Sequence, residues 1–84
     1  MISCGDYDYI EIACMHAYVI ELHLLNGSII SGKALDTQRN PLKQECIKIH
    51  SQGSDMLVVL DDVKSMTVQT KNPSFSHVNF TTKT

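Results

Sequence analysis

The first 32 residues of this 84-residue chain contain no lysine and no arginine; Lys33 is the first base. That stretch carries Asp6, Asp8, Glu11 and Glu21, a charge of −4, whereas residues 33–84 set seven bases against five acids, or +2. A segment of that sign is unsuited to gripping a phosphate backbone and suited to meeting a cationic surface. Long apolar runs are also missing. None approaches the roughly 18 residues that span a bilayer, and the apolar stretches are strand-sized, interrupted by Glu21 and His23. No basic segment leads into an apolar one as in a secretory signal, so a cytoplasmic protein without membrane attachment is expected. Cysteine is scarce and odd in number (Cys4, Cys14, Cys46), which points to reduced thiols rather than a disulfide framework.

The usual chemical motifs are absent as well. Cys14-Met15-His16 is the only close Cys/His pair, and no C-x-x-C or H-x₃₋₅-H spacing exists. The reading therefore expects no metal and no cofactor, with Cys14 and Cys46 as small buried hydrophobes. No glycine-rich phosphate loop, G-x-S-x-G or Ser-His-Asp spacing occurs, and Asp61-Asp62 reads as a solvated turn. An enzyme is not expected.

What is present is a change of period. Asp8 and Glu11 have the D-x-x-E spacing of a capping box. Ile10, Ala13, Cys14 and Ala17 recur at helical spacing, predicting a short helix over about 9–16. Tyr18, Ile20, Leu22 and Leu24 then alternate as a half-buried strand, and Asn26-Gly27 signals a two-residue hairpin. A second strand covers 28–35, with Gly32 marking a bend or bulge, and 36–41 reads as a loop or frayed strand end. Strands follow at 45–50 and 56–60, the latter fully apolar, and a last one ends near Val68. The tail 69–84 is polar, with a possible edge strand at 77–80. One domain is expected over 1–84: mainly β with one short N-terminal helix, the barrel spanning about 18–68. Five to six short antiparallel strands with turns between them read as a small, strongly bent β-barrel.

A small barrel raises the possibility of RNA binding through Lys33, Arg39, Lys43 and Lys48, but few aromatics lie among these bases to stack on nucleotides. The tyrosines fall in the acidic part instead. Tyr18 suits a ring covering the barrel end, while Tyr7 and Tyr9 sit between acids.

The segment Cys4-Gly5-Asp6-Tyr7-Asp8-Tyr9-Ile10-Glu11-Ile12-Ala13-Cys14 resembles the opening of the Rho-binding antiterminators, the bacterial Rof proteins. The resemblance extends through the Asn26-Gly27 hairpin and Leu57-Val58-Val59 to Asp61-Val63, although only the first segment is specific. Gly5 stands where the family pattern leads one to expect a polar or acidic residue. The resemblance implies a helix packed on an Sm-like β-barrel that binds transcription termination factor Rho on its primary RNA-binding surface. Carried over by position, it names Asp6, Tyr7, Asp8, Tyr9 and Glu11 as contacts, with no direct nucleic-acid binding. Free, the protein is expected to be a monomer, although edge-to-edge pairing into a ring is the structural alternative.

Overall fold

The computed structural model describes residues 4–70 and 76–80. Helix α1 covers Cys4–Met15, and strands β1 (Val19–Leu24), β2 (Ile29–Arg39), β3 (Glu45–Ser51), β4 (Ser54–Val59), β5 (Val63–Val68) and β6 (His77–Asn79) follow. All pairings are antiparallel, in the order β4-β3-β2-β1-β5-β6. The connection between β4 and β5 forces this sheet to curl. Four strand spacings separate them, about 19 Å if the sheet lay flat. The chain joins them through one 3-10 turn, Leu60–Asp62, which advances only about 8 Å. A flat sheet is therefore impossible, and the strands wrap into the expected barrel.

Two irregularities and one glycine provide the bend. The β2–β3 register slips between Ala34 and Asp36, leaving Leu35 as the extra residue of a bulge, and β1–β5 slips between His23 and Leu24. The bulge is thus at Leu35 and not at Gly32. Gly32 serves a different need: a Cβ there would lie 2.4 Å from Ile49 Cγ2 and 2.6 Å from the His50 carbonyl oxygen. Only glycine lets β2 come that close to β3.

The core lies inside the curl. Ile20 and Leu22 of β1, Ile47 and Ile49 of β3, and Leu60 and Met66 are fully buried. The helix closes one side through Ile10 and Ala13, with Tyr7 and Cys14 packed beside them. Complete burial of an isoleucine contributes roughly 1.5–3 kcal/mol, enough to hold a helix too short to persist alone.

Several local expectations change. The helix begins at Cys4 instead of about residue 9, so Asp8 lies in its second turn and the Asp8–Glu11 spacing is not a capping box. At the other end the backbone N–H of Tyr18 donates to the Ala13 carbonyl (2.9 Å) and that of Ala17 to the Cys14 carbonyl (3.1 Å). This is a Schellman closure, made by an alanine at φ 52° where glycine is usual. The Asn26-Gly27 turn has positive φ only at Gly27, and Asn26 Oδ1 accepts from the Ser28 N–H at 2.9 Å. The two-residue turn with positive φ at both positions is Gln52-Gly53. Strand β2 continues to Arg39, because the Leu35 bulge lets Asp36–Arg39 pair with β3. The apolar run at 56–60 is partly exposed. Strand β4 is an edge, so Met56 and Leu57 remain exposed while Val58 and Leu60 enter the core.

Candidate functional site: an acidic groove between helix and bulge

The acidic residues of α1 divide according to the helix repeat. At roughly 100° per residue, Asp8, Glu11 and Met15 share the outer side, while Asp6 lies about 160° from Asp8. The structure agrees: Asp8 and Glu11 are exposed, Asp6 is half-buried, and Met15 is 76% exposed. Among the tyrosines, Tyr7 packs on the core and Tyr18 is buried in it, its ring stacked on His16 with centroids 5.3 Å apart. Tyr9 is exposed at the surface. Of the five residues named from the sequence, then, Asp8, Tyr9 and Glu11 are presented outward. Tyr7 and Asp6 face more toward the barrel.

Beside this face lies a groove of about 380 Å³, lined by Glu11, Cys14 and Met15 of α1 and by Leu35, Asp36 and Thr37 of β2. Its β2 wall is the bulge itself. The extra residue at Leu35 shifts the alternation, so an exposed Asp36 stands across the groove from Glu11. The Cys14 thiol reports the resulting field. Burial first, then the Asp36 and Glu11 carboxylates, push it from its ordinary 9.0 up to about 11. At neutral pH it is a protonated thiol and not a nucleophile. The groove also lies at the C-terminal half of α1, the negative end of the helix dipole, and the last turn carries no base to offset it.

The bases are arranged differently. Lys48 stands opposite Asp36 in the β2–β3 ladder, and Arg39 stands opposite Glu45. Lys33 is opposite His50, whose Nδ1 lies 2.7 Å from Asp55 Oδ1. Lys43 is in the β2–β3 loop. These four residues do not gather into a patch of one sign. Among the described residues, no three His, Cys, Asp or Glu side chains come together where they could hold a metal ion, and no helix is long and apolar enough to cross a membrane.

Sequence reasoning missed Asp36, Cys14 and Met15 as site residues. Asp36 reads from the sequence as part of a loop or frayed strand end, and it lies within β2. Nothing local to it signals the bulge that turns it toward the helix.

Comparison with known proteins shows the family. Residues 1–80 match the family described as "Modulator of Rho-dependent transcription termination (ROF)". The chain belongs to that family. It is 32% identical over 66 residues to the protein named rof in Escherichia coli, covering 76% of this chain and 75% of that one, and equally to its namesake in Shigella flexneri. The solved structure "YaeO bound to Magnesium from Vibrio cholerae" superposes with a TM-score of 0.84 at 39% identity. That superposition covers 89% of this chain and 97% of the other. This Rof-family chain therefore shares its helix-on-barrel architecture with a solved relative, and the family is a regulatory one acting on Rho-dependent termination.

Proposed function

We propose that this chain binds Rho itself, in the bacterial cytoplasm, through the outer face of α1 and the groove α1 forms with β2. By occupying Rho's primary RNA-binding surface it keeps RNA from loading and suppresses termination, a task of binding and not of catalysis. The observation that carries this reading is the meeting of Glu11 and Asp36 at one groove, with an exposed Asp8 on the same face of α1 as Glu11. An RNA-binding cleft offers cations for phosphates and flat faces for bases. Carboxylates beside an aromatic ring can engage both. Steering by unlike charges speeds encounter, and truncating one partner of a desolvated charge pair costs roughly 2–5 kcal/mol.

The helix start at Cys4 supports this assignment. Asp8 and Glu11 are not at the helix N-terminus, so neither side chain is occupied in capping it. In a pull-down with purified Rho, Asp8→Ala with Glu11→Ala is expected to remove binding while leaving the circular dichroism spectrum unchanged, and RNA is expected to compete with the wild type. Undiminished capture of the folded double variant would move the site elsewhere.

The RNA-binding alternative draws less support, because Lys48 and Arg39 stand opposite acids in the ladder. A gel shift with a uridine- or cytidine-rich oligonucleotide at physiological salt is expected to show no direct complex. β6 pairs with β5 at Ser65–Thr67, which leaves β4 and β6 as the edges of the sheet; a monomer is expected on size-exclusion chromatography, and an oligomer would show that these edges pair.

A further inference from the structure

Leu42 is 78% exposed, at the tip of the loop that joins β2 to β3. A solitary exposed leucine is ordinary, but this one is held in place with unusual thoroughness. Asn40 Oδ1 accepts from the backbone N–H groups of Leu42 and Gln44, both at 3.0 Å. Asn40 Nδ2 donates to Gln44 Oε1 at 2.9 Å. The Asn40 N–H donates to the Gln44 carbonyl (3.1 Å), and the Lys43 N–H to the Asn40 carbonyl (2.8 Å). One asparagine thus ties a five-residue loop together, with Pro41 restricting it further. Lys43 is held at φ 63°, a left-handed conformation that is unfavourable for a lysine and persists only when its surroundings impose it. The ordering contributes nothing to the core, since Pro41, Leu42, Lys43 and Gln44 are all exposed.

The loop is also within reach of the groove. Thr37 lines the groove and Asn40 follows three residues later, just past the end of β2, about 10 Å away at strand rise. A standard interface of roughly 800 Å² per partner extends about 16 Å from its centre, so one partner can cover both.

We propose that Leu42 is the apolar anchor of the Rho interface: its side chain packs against the apolar or aromatic wall on which an RNA-binding cleft stacks bases, while Glu11 and Asp36 meet the cations that hold phosphates. The inference rests on the reading that Rho is the partner. Its physical basis is preorganisation. A leucine already fixed in a rigid loop loses little entropy on burial, and buried anchors at an interface act mainly on the dissociation rate, whereas exposed charges act on association.

The test is a biosensor measurement of wild type, Leu42→Ser, Leu42→Met, Asn40→Ala and Asp8→Asn/Glu11→Gln on immobilised Rho. Leu42→Ser is expected to raise the dissociation rate about tenfold with association within about twofold, and Leu42→Met to restore slow release. Asn40→Ala, which frees the loop, is expected to fall between them. The acid variant should instead slow association. Thermal midpoints of the Leu42 variants should match wild type, because the side chain lies outside the core. Dissociation of Leu42→Ser within twofold of wild type, with the acid variant impaired, would overturn the anchor and leave the Rho reading standing. A wild-type protein that does not bind Rho would overturn both.

Discussion

The groove side and the β2–β3 ladder use the same ingredients to opposite ends. Along the ladder, opposite signs face each other, Lys48 against Asp36 and Arg39 against Glu45. At the groove, Glu11 and Asp36 face each other with a half-buried thiol and the negative end of a helix beside them. The first arrangement sets unlike charges opposite one another across the strands. The second repels itself in the free protein, and a cation from outside relieves it. Asp36 belongs to both, which makes it the residue where the structural and binding demands on charge meet.

That comparison can be broken most severely at Gly32, because β2 forms one wall of the groove and one side of the ladder. In Gly32→Ala the new methyl meets the His50 carbonyl as well as a flexible Ile49 terminus, and the backbone contact cannot yield cheaply. A loss of about 2–3 kcal/mol is expected, lowering the thermal midpoint by on the order of 10 °C or more in a domain of this size. An unchanged midpoint would mean that the β2–β3 approach is looser than described.

A smaller effect separates the two regions directly. Neutralising the groove with Glu11→Gln and Asp36→Asn is expected to weaken Rho binding by about tenfold or more and to flatten its salt dependence. Stability should hold or rise slightly as the repulsion is removed. Neutralising the ladder with Arg39→Gln and Lys48→Gln is expected to do the reverse: Rho binding near wild type, with stability lowered by about 0.2–1 kcal/mol for exposed pairs. Equal losses of Rho binding in the two double variants, measured side by side over a salt series, would erase the distinction.

The smallest effect reads the groove's field through Cys14. Its folded pKa is raised, from 9.0 to about 11, so the folded state keeps a proton that the unfolded chain gives up in that window. The associated stability is fully present below pH 9 and is lost as pH rises toward 11. Denaturant midpoints from pH 8 to 11 should therefore fall more steeply for wild type than for Cys14→Ala, and the two curves should converge in slope below pH 9. Parallel curves across the whole range would mean that neither burial nor the carboxylates raise the thiol. The comparison with Cys14→Ala isolates this thiol from the lysines and tyrosines that titrate nearby in pH.

Much of the barrel was legible in the residues because its signals are local. The alternation of Ile20 and Leu22, and of Ile47 and Ile49, marks one buried face of a strand, and those side chains are the core. The helix was legible but its start was not. Asp8 and Glu11 match a cap by spacing alone, and a capping pattern cannot reveal that the preceding residues are already helical. The fully apolar run at 56–60 marked a strand but not its place in the sheet. Hydropathy marks what could be buried, and only strand order shows that β4 is an edge.

The sequence by itself determined the sign of the N-terminal third, the helix-then-strands order, and the resemblance of residues 4–14 to a Rho-directed family. These depend on residue types and short spacings, which folding does not alter. Tertiary structure decided which acids act together. It turned Tyr7 and Asp6 toward the barrel, left Asp8, Tyr9 and Glu11 outward, and brought Asp36 from 25 positions beyond Glu11 into the same groove. The physical reason is a single extra residue at Leu35. A one-residue shift in a strand moves every following side chain to the other face, and whether a ladder takes that shift is settled by its partner strand, not by the strand's own sequence.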